Sequence, residues 1–294
     1  MNSRVVAILI AGTAALAMQP ANAADIPVKA PGAVPYVISS GFFGYVQGNH
    51  YFRDSREGVA LTDAGGLANH IGAGAGEGTG VSGLVGYRFA NRWDFAVGAR
   101  SMDFRPGLPV REGSDLTQIT DNKIRNLDFE VGYTFGGLGW SVRPFAGVRY
   151  LEARTAVQFV PPGIYSSTAR SEGTGPRVGI DGAVALNGWL GLFASADVSA
   201  LSGKVRSEHN AALAAIRPNG SDDRWMWTAG GKFGVAWKIL PLLDLAAGFQ
   251  AEWFDGISFH HFAGNTTVTG PAGRSGRFAV GPFARLTYNM SPSR

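Results

Sequence analysis

Charged side chains recur at every second position in several stretches of this chain, and that spacing is where chemistry would have to arise. Asp128 and Glu130 lie two apart, Arg143 and Arg149 six apart, and Arg177 and Asp181 four apart. In an extended chain, residues an even number apart share a face. Each set therefore projects from one side of a strand. Paired carboxylates can work as general acid and base, but these acids are accompanied by bases. On the same alternating face, Arg88, Arg100, Arg143, Arg149, Arg177, Arg224, Lys232, Lys238, Arg277 and Arg285 meet Asp94, Asp128, Glu130, Asp181, Asp197, Asp244 and Glu252. Such a mixture makes ion pairs or a charged lining more readily than a catalytic dyad.

Other chemical signals are poor. The run Gly72-Ala73-Gly74-Ala75-Gly76-Glu77-Gly78 looks superficially like a phosphate-binding loop, but no helical pattern follows it. The five histidines, His50, His70, His209, His260 and His261, fall at strand ends or in loops, and His260-His261 would need further ligands to hold a metal. Asp222 and Asp223 are neighbours, so an extended backbone points them apart. No Asp-x-His pair shares a face, and no G-x-S-x-G occurs. The absence of cysteine removes disulfides and thiolate chemistry. These readings predict no enzyme, no catalytic residue, no cofactor and no metal site. The competing class is the outer-membrane proteases and lipid hydrolases, which carry a catalytic site at the rim of a barrel.

The elements that hold the charges have a period of two. From Leu243 to Trp253 the odd positions are Leu, Leu, Ala, Phe, Ala and Trp, while Asp244, Gln250 and Glu252 lie between them. Leu127, Phe129, Val131, Tyr133 and Phe135 alternate with Asp128, Glu130, Gly132 and Thr134 in the same way. Segments of about eleven residues suit a tilted strand crossing a bilayer, whereas soluble strands average about five to six. The pattern predicts ten strands near 41–52, 80–90, 93–104, 123–136, 140–157, 174–187, 189–205, 223–239, 242–259 and 275–289, with eight or twelve as alternatives. Long and short connections alternate strictly. The fold class expected is all-β, a transmembrane antiparallel up-and-down barrel spanning 41–290 with short periplasmic turns.

Aromatics flank the short turns. Phe89, Trp93, Phe135, Trp140, Trp189, Trp237 and Tyr288 form the expected periplasmic aromatic belt. Phe52, Phe104, Tyr150, Trp225, Trp227, Trp253 and Phe278 would form a second one near the long loops. Alternation alone does not say which face is inside. A soluble lipocalin-like barrel has the same period with its apolar face inward. Strand length, the belts and the one-sided loop lengths favour the membrane.

The chain starts with a short basic stretch at Met1 to Arg4, an apolar run from Val5 to Ala17, and Ala21-Asn22-Ala23. This is the order of a secretory signal, with cleavage between Ala23 and Ala24. Residues 24–40, with Pro27, Pro31 and Pro35, read as an extended periplasmic leader, and 291–294 as a short tail. With 42 Gly and 33 aromatic residues counted as 18 Phe, 8 Tyr and 7 Trp, the chain is about twice as rich in glycine as usual. The formal charge of +4 is dispersed without a basic block, which excludes the electrostatic footprint of nucleic-acid binding.

If the polar face is the lumen, the expected pore-lining residues are Arg88, Arg100, Asp128, Glu130, Arg143, Arg149, Arg177, Asp181, Asp197, Lys232, Asp244, Glu252 and Arg285. Ten strands close at a backbone radius of roughly 10 Å, so side chains fill most of the bore. Glycines on this face, at 86, 98, 132, 147, 179, 230, 248 and 281, either make room for long arginines or widen a charged path. The expected function is a narrow porin for ions and small solutes, with a basic excess that prefers anions. The alternative is a closed structural or surface-interaction barrel. Expected partners are outer-membrane lipid and lipopolysaccharide, the barrel-assembly machinery and small solutes.

Within residues 123–205 the pattern becomes more specific. Leu127-Asp128-Phe129-Glu130-Val131-Gly132-Tyr133-Thr134-Phe135 is followed by Arg143-Pro144-Phe145-Ala146-Gly147-Val148-Arg149-Tyr150. Gly173-Thr174-Gly175-Pro176-Arg177-Val178-Gly179-Ile180-Asp181 comes next, and Ser199-Ala200-Leu201-Ser202-Gly203 closes the series. In this order the motifs resemble the Legionella-type major outer membrane protein (porin) family. The resemblance implies a porin-type protein of a Gram-negative outer membrane, with Asp128, Glu130, Arg149 and Arg177 as characteristic wall residues. The stretch Ala24-Asp25-Ile26-Pro27-Val28-Lys29-Ala30-Pro31 is similar to the leaders of small opacity or immunogenic-type barrels of rhizobia-like bacteria.

Overall fold

Alternation of apolar and polar residues over ten segments produces ten long antiparallel strands that close on themselves. The computed structural model describes residues 40–52, 57–62, 68–73, 77–104, 110–112, 115–160, 166–209, 219–257 and 277–289. The wall consists of β1 (Gly41–Tyr51), β4 (Gly78–Arg88), β5 (Trp93–Phe104), β7 (Asp115–Tyr133), β9 (Trp140–Val160), β10 (Ser166–Ala185), β11 (Leu190–His209), β12 (Gly220–Leu240), β13 (Leu243–Asp255) and β14 (Arg277–Asn289). Each pairs with its sequence neighbour in the wall, β1 pairs with β14, and β7 pairs with β9, so the sheet has no free edge. A closed wall satisfies every backbone donor and acceptor without water, which lipid requires. Four short strands complete the set: the hairpin of β2 (Glu57–Thr62) and β3 (Ala68–Ala73), then β6 (Val110–Glu112) and β8 (Phe135–Gly137). The signal, the leader, the tail, and His260 and His261 lie outside the described residues.

The short turns have local chemical causes. The Asn91 side chain accepts a hydrogen bond from the Trp93 amide at 3.3 Å, and Arg92 takes the left-handed conformation at φ 72°. Asn187 does the same at the next such turn, accepting from the amides of Trp189 at 3.0 Å and Leu190 at 2.8 Å. Asn tolerates these positions because its short side chain bonds its own backbone. Gly41 pairs with Arg88 and Phe43 with Asn289, so both ends of the barrel chain lie at the turn end. Short turns mark the periplasmic side.

The faces separate as the membrane demands. Val46, Val85, Phe129, Val148, Val178, Phe233 and Phe249 are exposed on the outside, while Asp128, Glu130, Arg143, Arg149 and Arg177 are buried within. That distribution rules out the inverted, lipocalin-like arrangement. Phe89, Trp93, Phe135, Trp140, Trp189, Trp237 and Tyr288 all lie exposed at the turn end. Phe52, Tyr150, Trp225 and Trp227 are exposed towards the other end. Phe104 is not among them. It is 2 % exposed and points into the bore, because it shares the parity of Arg100 and Met102.

Strand length departs from the expectation on one side. β7, β9, β10, β11 and β12 run for 19, 21, 20, 20 and 21 residues, whereas β1, β4, β5, β13 and β14 have 11 to 13. Residues 115–122, 158–160, 166–173, 206–209 and 220–222, expected as loop, are therefore strand. At about 3.3 Å per residue and a tilt of about 40°, twenty residues reach roughly 50 Å, about twice the apolar band. Five adjacent strands thus stand above the membrane as a half-cylinder. Their outward face turns charged just past Leu127 and Tyr150, where Lys123, Arg154, Arg170 and Arg206 lie in register across four strands.

Candidate functional site

The inward positions of the ten strands stack into layers along the bore. At the periplasmic end, a cavity of about 580 Å³ is lined by Arg88, Lys238, Asp244, Arg285 and Thr287, beside the turn residues Asn187 to Leu190 and Pro241. It shares Phe43, Arg88, Ala183, Phe193, Arg285 and Thr287 with a second cavity of about 210 Å³ at mid-barrel. The two lie side by side as a vestibule at the turn end.

The inner cavity ends on a connected ion-pair network. Arg143 on β9 donates to Asp94 of β5 through Nε at 3.0 Å, and to Glu130 of β7 and Asp181 of β10 through Nη1 at 2.9 Å each. Arg177 on β10 joins Glu130 at 2.5 Å to Asp197 of β11 at 3.1 Å. Arg149 on β9 holds Asp128 with two hydrogen bonds at 2.7 and 2.9 Å, donates to Thr228 of β12 at 2.8 Å, and pairs with Asp197 at 3.2 Å. Arg88 lies 3.7 Å from Asp94. Near the network, Arg100 of β5 reaches across the bore to Glu252 of β13 at 2.5 Å. Every guanidinium therefore bridges strands, several of them not adjacent. Aromatic faces support them, with Arg177 lying 4.6 Å over Phe145 and Arg143 5.3 Å over the same ring.

Charge is nearly balanced in this layer. Five arginines, Arg88, Arg100, Arg143, Arg149 and Arg177, face six carboxylates, Asp94, Asp128, Glu130, Asp181, Asp197 and Glu252, so the network itself carries no basic excess. The surplus expected from the sequence lies outside the network: Lys232 and Arg285 border the same mid-barrel cavity, Lys238 lies at the turn end, and Arg224 and Arg277 lie at the outer end. Glycine makes room rather than a path. A Cβ at Gly132 would come within 2.8 Å of the Arg143 guanidinium, and one at Gly230 within 2.9 Å of the Glu252 carboxylate.

Above the charged layer the bore turns apolar. Tyr51, Met102, Phe104, Ile124, Leu151, Ala153, Leu201, Met226, Phe254, Ile257 and Ala279 form one buried cluster. Tyr51, Met102, Ile124, Leu151, Leu201 and Met226 have no solvent exposure at all. These side chains come from eight of the ten strands, so they meet across the lumen rather than along its wall. Beyond them Arg277 of β14 is buried and hydrogen-bonds Asn122 of β7 and Thr155 of β9, on the opposite side of the barrel. The outer half of the bore is filled by this apolar plug, with the Tyr51 hydroxyl and the Asn122 and Asn126 amides buried in or beside it.

Of the residues expected to line a pore, Arg88, Arg100, Asp128, Glu130, Arg143, Arg177, Asp181, Asp197, Lys232, Glu252 and Arg285 border the mid-barrel cavity, and Asp244 borders the outer vestibule. Arg149 borders neither. At 1 % exposure it is a buried tie between Asp128, Asp197 and Thr228. Sequence reasoning missed the plug. Its signal was parity, since Met102 follows Arg100, Leu151 follows Arg149, and Phe254 follows Glu252 on the inward face. At the rim, Asp222 pairs with Arg224 at 2.8 Å and Asp223 with Lys204 at 3.6 Å. Each carboxylate is taken by a base on its own face. His50 lies 4.0 Å from Glu77, while His70 and His209 belong to other strands, β3 and β11.

Among solved structures, the outer membrane protease OmpT from Escherichia coli has a similar fold, with a TM-score of 0.57 and 11% identity, covering 87% of this chain and 99% of that one. Neisserial surface protein A matches at a TM-score of 0.33 and 16% identity, over 86% of this chain and 99% of that one. OprG from Pseudomonas aeruginosa matches at 0.37 and 13%, over 86% and 97%. At 11% identity the likeness to OmpT is one of fold alone. No curated protein matches in sequence. Residues 101–290 match the family described as Legionella pneumophila major outer membrane protein precursor, and they carry the charged layer's β7, β9, β10 and β11. This chain, a closed ten-stranded barrel of the Gram-negative outer membrane, belongs to that family.

Proposed function

We propose that the protein is a lumen-closed outer-membrane barrel that acts as a structural and surface element rather than as a diffusion pore. The observation that carries this reading is the apolar plug. Water and ions crossing it would lose their hydration without a polar partner, which is costly. The charged layer beneath is cross-linked by bidentate arginines, which suits a braced wall better than a filter. The tall half-cylinder of β7 and β9 to β12 supplies an outer surface on which lipid headgroups, envelope polysaccharide or other cells can act. The rim geometry favours a non-catalytic surface, because Asp222 and Asp223 are each engaged by a base on opposite faces.

The narrow porin expected from the sequence has one observation in its favour. The vestibule brings charged, water-accessible walls from the periplasm to mid-barrel. For solutes to pass, the plug must open. Liposome swelling separates the two readings. Vesicles carrying the refolded protein should not swell in small sugars or amino acids, whereas a variant with Met102, Leu151 and Met226 all replaced by glycine should permit swelling. Rapid swelling with the unaltered protein would overturn the closed reading and restore the porin.

A further inference from the structure

Lys232 and Arg285 are left outside the ion-pair network, and both face the periplasmic vestibule. Lys232 Nζ lies 4.9 Å and Arg285 Cζ 5.5 Å from the centre of the same ring, that of Tyr45. Arg285 also lies 4.0 Å over Phe193. Neither base has a carboxylate within 4 Å among the described residues, although Asp181 and Asp244 act on Arg285 from farther off. The acids bordering the same cavity, Asp128, Glu130, Asp181, Asp197 and Glu252, are each paired with Arg100, Arg143, Arg149 or Arg177, and Asp244 stands at the rim in register with Lys238. An aromatic face attracts a cation but does not neutralise it.

The surrounding polar atoms point to the same deficit. Arg285 Nε, Thr287 Oγ1 and Thr134 Oγ1 are buried without a hydrogen-bond partner, and all three residues border the mid-barrel cavity. Arginine and lysine only donate, and the hydroxyls can donate as well. Cations gathered at a partly buried cavity call for a counter-charge, and unsatisfied donors call for acceptors. A small oxyanion supplies both, while water supplies only the second.

We propose that the vestibule binds a small oxyanion of the phosphate or sulfate type between Lys232 and Arg285, with the Thr287 hydroxyl as a further donor. The site opens to the periplasm and does not depend on whether the plug ever opens, so its test is separate from that of transport. Its size follows from the cavity of about 210 Å³, which admits such an ion with water but no macromolecule.

The chain has no cysteine, so a single probe can be placed in the cavity without background. Ser195 borders the cavity and is in register with Lys232, which makes Ser195→Cys the reporter. In the detergent-folded protein, an anionic thiosulfonate should modify this cysteine at least about tenfold faster than a cationic one of similar size, because fixed charge concentrates counter-ions. Inorganic phosphate should slow the reaction saturably, and chloride at equal ionic strength should not. Replacing Lys232 and Arg285 with Met should remove both the preference and the protection, while the folded band on a heat-modifiability gel is retained. If Ser195→Cys does not fold, calorimetric titration of phosphate into the unaltered protein and into Lys232→Met replaces it, with at least tenfold weaker binding expected in the variant. Equal rates for the two reagents, protection by chloride as good as by phosphate, or an unreactive cysteine would each overturn the site.

Discussion

Removing Arg149 should be among the most damaging single changes in this barrel. The side chain is 1 % exposed, gives Asp128 two hydrogen bonds, gives Thr228 one, and lies 3.2 Å from Asp197. Arg149→Met keeps most of the volume and leaves two carboxylates short of a partner. Breaking one side of a buried ion pair costs about 3 to 5 kcal/mol. The lower end of that range applies, since Arg177 still lies 3.1 Å from Asp197 and 3.7 Å from Asp128. A cycle with Asp128→Asn gives a second handle. The double variant should recover part of the loss, for the orphaned charge is gone and the exchange of a buried pair for neutral groups is often close to neutral. Urea titration of folding into lipid vesicles, followed by tryptophan fluorescence, measures each corner. A loss below about 1 kcal/mol for Arg149→Met, or a coupling near zero, would refute the claim that this layer is a dry, interlocked network.

Three further outcomes are expected. Phe249→Arg puts a charge on the lipid face and should cost about 2 to 4 kcal/mol in the same titration, whereas Phe249→Leu should cost under about 1.5; equal effects would mean that Phe249 does not face lipid. Leu201→Ala opens a void in the plug and should cost about 2 to 5 kcal/mol, because Leu201 is wholly buried; a negligible loss would mean that the plug is hydrated. In intact cells, an impermeant maleimide should label a cysteine at Lys204, above the outer boundary, but not one at Asn91 or Asn187 until the outer membrane is permeabilised, and the reverse pattern would invert the topology.

Much of the architecture was legible because its signals are local. Period-two alternation located all ten wall strands, and Asn91, Asn187 and the flanking tryptophans marked the short turns. Face assignment followed from strand length, the aromatic belts and the one-sided loop lengths, since the alternation of Phe129 with Asp128 and Glu130 fits either hand. What escaped depends on position along the axis rather than on residue type. Leu151 and Met226 were not singled out, although their parity is that of Arg149 and Arg224; only the axial level shows that they meet across the bore. Phe104 was assigned to an outer belt for the same reason. The charges on the alternating face were expected to line the lumen, but a count of bases and acids does not say who pairs with whom. Arg149 and Arg177 are consumed by Asp128, Glu130 and Asp197, while Lys232 and Arg285 are left over, and that distinction comes from strand register. The long strands β9 to β11 were cut short at 157, 174 and 205 because the lipid-facing pattern stops there, so that Arg170 and Arg206 read as loop charges.

Single-channel recording of the refolded protein in a planar bilayer tests the closed lumen most directly. With Met102, Leu151, Leu201 and Met226 in place, insertion should produce no conductance steps across the usual voltage range in concentrated potassium chloride. Insertion itself can be verified by the heat-modifiable gel shift of the same preparation. Reproducible steps from the unaltered protein, with a reversal potential that responds to charge reversal at Arg143, would contradict the plug and show that the charged layer lines an open path.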